Sequence, residues 1–382
     1  MIYLDNNATT RLAPEVLEEM LPFLREEYGN PSSFHTFGSR VMEHVETARE
    51  RVAALLGASP REITFNSGGT EGDNTALESG TTWDPARPGL VTTAVEHPAV
   101  LETARQLERL GRPLAVIGVD RSGRLDLDDL VRRTDPRTGL VSVMAANNET
   151  GVLMPVAEAA EVAHAAGALF HTDAVQAVGK VPIDVAASGI DMLSLSGHKL
   201  HGPKGVGALY VRKGSPFLPL ILGGHQEKGV RAGTYNVAGI VGLGRAAELA
   251  MRSLRDGTGR EAALLARLED GILASCPEAE IAGAGSPRLP NTSTVLFTSV
   301  ESEAILTLLD MRGIVVSSGS ACSTGSKDPS YVLSAMGIDA MKANTAIRFS
   351  LSRYTTEAEI DAVLEALPPL IARLRAISPY AR

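Results

Sequence analysis

Residues 191–211 read DMLSLSGHKLHGPKGVGALYV, and this stretch decides the fold. Two short apolar runs, DMLSLSG and GVGALYV, flank a glycine-rich turn that holds Lys199. Runs of this length bounded by turn residues are strands. Outward from them the same rhythm extends over about residues 60–212, in EITFNS, LVTTAVE, LVSVMAANN and ALFHTDA, separated by amphipathic stretches. Strands alternating with helices predict an α/β architecture, a mostly parallel central sheet flanked by helices. Ligands of such sheets bind beyond the carboxyl ends of the strands. That directs attention to Asn66–Thr70, Glu96–His97, Asn147–Asn148, Asp173 and Ser196–Lys199.

From about residue 255 the rhythm changes. EAALLARLEDGILASC reads as a helix, NTSTVLFT as a strand, SEAILTLLDMRG as a helix closed by Gly313, and TAIRFSLS as another strand. Thr356 and Glu359 fit a capping box at the start of TTEAEIDAVLEAL. This part predicts a smaller α+β domain. The expected division is a large domain over 15–257 and a small one built from 1–14 and 258–382. Within the small domain VVSSGSACSTGSKDPS, residues 315–330, sets a single thiol, Cys322, among Ser and Gly. A core cysteine sits among apolar residues instead.

The 382 residues carry 45 acidic and 36 basic side chains, a formal charge of −9, with no long Lys/Arg run. A direct nucleic-acid ligand would need a basic footprint, so that class is excluded. MIYLDNNATT has neither the basic nor the apolar region of a secretory signal. No apolar stretch approaches the roughly 18 residues of a membrane helix. The nearest, FLPLILGG, is short and broken by Pro219. The expectation is a soluble, cytoplasmic protein with no membrane partner. Two cysteines are too few to make a zinc or iron–sulfur ligand set by themselves. Cys276, closing a helical run, reads as structural.

Chemistry gathers at the strand ends. Lys199 follows a strand, and in a protected crevice such a lysine forms a Schiff base with a carbonyl cofactor; the alternative is an exposed loop lysine, as Lys204 is expected to be. NSGGTEGDN ends a strand and opens a helix, so the backbone around Gly69 and Thr70 can hold a phosphate. It is neither a Walker motif nor a dinucleotide fingerprint. Asp173, in FHTDAVQAVGK, can pair with the ring nitrogen of pyridoxal phosphate or serve as a helix N-cap. His97, in VEHPAV, can stack on a cofactor ring, move protons near neutral pH, or begin a helix. A phosphate cradle, an Asp, a His and a Lys at successive strand ends describe a pyridoxal phosphate pocket.

These residues, with YLDNNATT, GNPSSFHTFG, EHPAVLE, ANNETGV, HTDAVQAVGKVPID, LSLSGHKLHGPKGVG, GGHQEKGVRAGT, SSGSACSTGS and IRFSLSRYTTEAEID, span essentially the whole chain. In them the chain resembles the cysteine desulfurases of the nitrogen-fixation type, members of the class V aminotransferase family and pyridoxal phosphate enzymes of fold type I. The resemblance implies that Lys199 carries the cofactor as a Schiff base, that Asp173 meets the pyridine nitrogen, and that Gln176 lies near the ring hydroxyl. It implies that His97 stacks over the ring and assists Lys199 in proton transfer. Gly69, Thr70, Ser196 and His198 would hold the phosphate, with Thr234 reaching in from the partner subunit of a homodimer. Asn148, beside the cofactor, and Arg348 would hold the carboxylate of the substrate, L-cysteine, Arg348 by its two-pronged geometry.

The implied chemistry answers the question posed by the exposed thiol. Cys322 would attack the substrate sulfur, keep it as a persulfide and release L-alanine. The sulfur would pass to an iron–sulfur scaffold protein, and for this branch on to nitrogenase maturation. Cys322 would meet iron only as a transient iron–sulfur ligand through its persulfide. A Ser/Gly loop suits a sulfur that must travel. An unperturbed thiol is only about 3% thiolate at pH 7, so the site must raise that fraction. Three features depart from the family's commoner pattern. Gly72 stands where many relatives have Ser, and Tyr235 where nitrogen-fixation relatives often have Glu. The sequence stops at ISPYAR, without the longer tail of housekeeping relatives, which favours the nitrogenase branch. Two rival readings are an aminotransferase-like enzyme, for which Cys322 is idle, and a non-catalytic scaffold, for which Lys199, Asp173 and Arg348 are.

Overall fold

The computed structural model describes residues 1–318 and 329–379. In chain order the strands are β1 Ile2–Tyr3, β2 Ile63–Asn66, β3 Gly89–Thr93, β4 Leu114–Ile117, β5 Thr138–Ser142, β6 Leu169–Asp173, β7 Met192–Ser196, β8 Gly207–Val211, β9 Ala279–Ile281, β10 Thr292–Phe297, β11 Ile314–Val315 and β12 Ala346–Ser350. Seven of them form the central sheet in the order β2-β8-β7-β6-β5-β3-β4. Only β8 runs against the rest, pairing antiparallel with both β2 and β7. The alternating pattern read from the sequence is therefore the observed one. The addition is β4, an edge strand whose run LAVI is too short to be told from the helical stretch before it.

Strands β3, β5 and β7 are buried at every position, because helices cover both faces of the sheet. On one face Val45, Val52, Phe65, Val141, Phe170 and Leu243 form a core with the helices Thr36–Leu56 and Val237–Asp256. On the other, Ala76, Leu77, Val100, Leu140 and Met192 pack under the helices Gly69–Thr82 and Pro98–Arg109. A further core gathers Leu4 with Leu268, Ile272, Val295, Phe297, Phe349, Ile360 and Val363. It is built on the antiparallel sheet β12-β10-β9 and the helices Gly259–Ser275 and Glu357–Ile377. Cys276 lies in this core, 2% exposed. Phe349 is fully buried there; truncating it to Ala would cost about 3–5 kcal/mol.

Local signals behave as their chemistry requires. Thr356 and Glu359 form the expected capping box at the last helix. Gly313 takes a left-handed φ of 73° and donates to the Asp310 carbonyl just beyond the helix Ser302–Asp310. The N-terminal segment ties the two parts together. β1 pairs with β11, Asn6 Nδ2 donates to the Ser350 carbonyl at 2.8 Å, and Thr10 N donates to the His198 carbonyl at 2.9 Å.

Candidate active site

Strands β2, β3, β5, β6 and β7 point the same way, so their carboxyl ends share one edge of the sheet. Beyond β2 the chain turns through Gly68, at φ 148°, into the helix Gly69–Thr82. A Cβ on Gly69 would stand 2.6 Å from Val175 Cγ2, so this turn accepts no side chain without a shift. The first amides of that helix, on Gly69, Thr70 and Glu71, have no intrahelical acceptor. Ser196 Oγ lies 3.6 Å from the position of a Gly68 Cβ, which sets a hydroxyl beside the same turn. Free amides, a helix N-terminus and a hydroxyl make an anion cradle. His198 is half-buried nearby, its Nδ1 3.2 Å from Thr9 Oγ1, and burial pushes its pKa down to about 4.

Lys199 sits in the short 3₁₀ turn Gly197–Lys199 after β7. Its Nζ donates to the carbonyls of Asn7 and, at 2.7 Å, Ala8, whereas Lys204 is exposed. The Asn7 carbonyl also accepts from Gln176 Nε2 at 3.0 Å. Gln176 Oε1 in turn accepts from Lys180 Nζ at 2.8 Å, which fixes the amide with its NH2 group toward Asn7 and Lys199. Burial, with Lys199 and Arg348 nearby, holds the Lys180 ammonium well below its usual pKa.

Asp173 ends β6 and is 5% exposed. No helix follows it; its Oδ1 accepts from Val175 N at 2.9 Å, so its local role is an Asx turn rather than a helix cap. Burial pushes its carboxyl upward, and His97 and Lys199 pull it back. His97 is the N-cap of the helix Pro98–Arg109, with Nδ1 accepting from Ala99 N at 3.1 Å. That bond places the neutral ring's proton on Nε2. Burial lowers the His97 pKa, opposed by Asp173. One side-chain oxygen each of Asp173 and Asp73 and a ring nitrogen of His97 all lie within 4.8 Å of one another.

Arg348, on β12, is one of the largest fully buried side chains. Its guanidinium donates to the Asn148 carbonyl at 3.0 Å and to Asp5 Oδ1 at 2.8 Å, while Nε has no partner. Asn148 Oδ1 is likewise buried and unpartnered. Thr234 stands apart. It is exposed and makes no hydrogen bond among the described residues, in a segment tethered by Arg231 to Glu71 at 2.9 Å. Cys322 lies outside the described residues.

Sequence reasoning gave no role to several residues that shape this site, although Glu96 was among the strand ends it pointed to. Asn7 and Asp5 belong to YLDNNATT, which carries no chemistry in sequence because its partners, Gln176, Lys199 and Arg348, are far along the chain. Glu96 is wholly buried, accepting from Thr93 Oγ1 and Met144 N at 2.8 Å each, and burial raises its pKa to about 8. Glu149 accepts from Ser330 Oγ at 2.5 Å. Glu96 was marked by its place at a strand end, and Glu149 only by adjoining Asn147–Asn148.

Residues 2–363 match the family described as Aminotransferase class-V. The chain is 53% identical over 380 residues to the cysteine desulfurase NifS of Azotobacter vinelandii, covering 99% of this chain and 94% of that protein. It is 57% identical over 388 residues to a cysteine desulfurase of Cereibacter sphaeroides, covering 99% and 98%. Among solved structures, a NifS-like protein superposes with a TM-score of 0.90 at 41% identity, over 98% of this chain and all of that one. A structure described as SspA in complex with cysteine superposes at 0.81, with 34% identity over 93% of this chain and all of that one. Family model, relatives and fold agree: the chain belongs to the class-V aminotransferase family.

Proposed function

We propose that this protein is a pyridoxal phosphate-dependent cysteine desulfurase, which moves sulfur from L-cysteine to Cys322 and releases L-alanine. The observation that carries the reading is the Lys199 amine at the end of β7, with Asp173 and His97 beyond β6 and β3. The residues present fit the cofactor. Amides without acceptors and Ser196 suit its phosphate, Asp173 its ring nitrogen, and the donor face of Gln176 its ring hydroxyl. The unpartnered Asn148 Oδ1 and Arg348 Nε fit a polar occupant of the pocket. His198 would contribute to the phosphate side, and Thr234 of a second copy would complete it in a homodimer.

When bound, pyridoxal phosphate supplies the electron sink that lets the substrate's C–S bond part. This chain's residues do the rest. Arg348 and Asn148 hold the substrate carboxylate. Lys199 takes and returns the proton at the substrate carbons, and His97 supports it with the proton it holds on Nε2. The Cys322 thiolate forms the new S–S bond as the C–S bond breaks, so the sulfur stays as a persulfide and the carbon skeleton leaves as alanine. The sulfur then passes to an iron–sulfur scaffold, with nitrogenase maturation as the proposed client and Cys322 touching iron only transiently. We assign cofactor holding to a large domain, 15–257, and the thiol to a small one, 1–14 with 258–382. Among the described residues no helix is long and apolar enough to cross a membrane, and we place the enzyme in the cytoplasm.

The test is chemical. Borohydride reduction of the cofactor-loaded protein, followed by peptide mapping, is expected to label Lys199. A label on Lys204, or no alanine released from cysteine, defeats the reading.

A further inference from the structure

Asp73 lies in the first turns of the helix Gly69–Thr82 and is 1% exposed, yet its Oδ1 has no hydrogen-bond partner. It faces a buried polar strip laid across three strands. Ser142 Oγ on β5 is 2.9 Å from His171 Nδ1 on β6, and His171 Nε2 is 3.1 Å from Ser194 Oγ on β7. Asp73 Oδ1 stands 3.6 Å from the same Nε2, and Ser194 also reaches the Asp73 carboxyl. Ser142, His171 and Ser194 are wholly buried. Nothing in the reading of the site uses this strip, although it runs directly beside Asp173.

Two carboxylates within 4.8 Å in a dry interior do not both ionise. The other groups facing Asp73 decide which of the two keeps the charge. Asp173 has the Val175 N–H and Lys199 to favour its anion, whereas Asp73 has only Ser194 and faces Asp173, Glu96 and a neutral His171. Burial alone pushes the His171 pKa to about 3, so no imidazolium is present to pair with Asp73. Asp73 Oδ1 has no donor to stabilise an anion, whereas Asp173 Oδ1 accepts from Val175 N at 2.9 Å. A neutral Asp73 can donate to Ser194 Oγ, with Ser194 donating to His171 Nε2 and His171 Nδ1–H to Ser142 Oγ; the opposite chain ends on an ionised Asp73.

We propose that Asp73 is a positioning residue of the cofactor site, a carboxylic acid kept neutral so that Asp173 is the single anion of the pair, with the Ser194–His171–Ser142 strip packed against it. This rests on the reading of the pocket as a pyridoxal phosphate site. Burial raises the Asp73 pKa well above its usual range, in agreement with the geometry.

The test compares Asp73→Asn and Asp73→Ala with wild-type holoenzyme in three measurements: infrared difference spectra, the dissociation constant of pyridoxal phosphate, and the pH dependence of the cofactor's visible absorption. The wild type is expected to show a carboxylic-acid C=O band near neutral pH that Asp73→Asn removes. Because an amide keeps a neutral donor toward Ser194, Asp73→Asn is expected to hold the dissociation constant within about threefold and leave the absorption midpoint in place. Asp73→Ala is expected to weaken cofactor binding about tenfold and displace the midpoint. The proposal is overturned by absence of that band in the wild type, by a midpoint shift of about one pH unit or more in Asp73→Asn, or by an Asp73→Ala protein that matches the wild type. If Asp73→Ala does not fold, the band and the Asp73→Asn midpoint decide. A wild type that takes up no pyridoxal phosphate fails the reading of the pocket instead.

Discussion

Arg348 donates from Nη2 to Asp5 Oδ1 at 2.8 Å, so the guanidinium assigned to the substrate carboxylate already holds a carboxylate of its own chain. Arg348 is 2% exposed as a side chain and Asp5 18%, so Asp5 is the partner nearer to solvent. An incoming carboxylate therefore shares or displaces Asp5. Replacing Arg348 by Lys removes the fork and is expected to raise KM for cysteine about tenfold or more, with cofactor colour retained. Asp5→Asn is expected to act in the opposite sense on KM, because the buried cation then waits for an anion. The same substitution is expected to lower the thermal midpoint, since an unpaired buried charge is costly. Steady-state kinetics and melting curves of both variants check the pair. An Asp5→Asn enzyme with raised KM and unchanged stability would contradict the argument.

Glu96 offers a test of buried titration. Its folded pKa, about 8, stands above the ordinary 4.5, so between those values the folded protein holds a proton that the unfolded chain has released. Stability credited to this group is therefore whole below pH 4.5 and is lost as pH rises toward 8. The limiting slope is about 1.4 kcal/mol per pH unit. Glu96→Gln cannot titrate. Its melting temperature is expected to match the wild type near the acidic end of this window and exceed it increasingly toward the alkaline end. Parallel curves would mean that Glu96 is ionised throughout.

Ser330 makes two bonds with one hydroxyl. It accepts from Leu333 N at 3.1 Å as the N-cap of the helix Tyr331–Ala335, and donates to Glu149 Oε2 at 2.5 Å. Ser330→Ala removes the cap and strands a buried carboxyl. The expected loss is about 1–3 kcal/mol of unfolding free energy, read by urea denaturation. Ser330→Thr is expected to restore most of it. A Ser330→Ala protein as stable as the wild type would show that Glu149 is satisfied by other means.

Cys322 separates binding from sulfur transfer. Cys322→Ala is expected to load pyridoxal phosphate and bind cysteine normally while releasing almost no alanine. Wild-type protein briefly exposed to cysteine without reductant is expected to gain one sulfur on the peptide that contains Cys322. Cys276→Ala, which changes a buried side chain of the β9–β10–β12 core, is expected to keep that mass gain. Mass spectrometry and an alanine assay check all three, and near-normal alanine release by Cys322→Ala would return the protein to the aminotransferase-like reading.

The homodimer is tested through Thr234. Mixing Thr234→Ala protein with cofactor-binding-defective Lys199→Ala protein is expected to give hybrid dimers in which the one intact lysine site receives its phosphate contact from an intact Thr234. Sedimentation showing a fully active monomer would remove the cross-subunit contact.

Fold class, the strand ends, the glycine turn after β2 and the place of Lys199 after β7 were legible in the sequence because each is a local signal. Short apolar runs alternate with amphipathic stretches, Gly68 and Gly69 mark a turn by the positive φ of the first and the crowding of the second, and Thr356 with Glu359 writes its own helix cap. The edge strand β4 was not legible, since four apolar residues carry no period of their own. The chemical partners were beyond reach for a different reason. Asp5 meets Arg348 across 343 positions, and Asn7 meets Lys199 across 192. Asp73 adjoins Asp173 only because the helix after β2 lies across β6 and β7. Sequence determines which groups exist and which strand edge they approach. Only tertiary packing decides which of them are desolvated together, and desolvation shifts where each one titrates: downward on His171, upward on Glu96, Asp73 and Asp173.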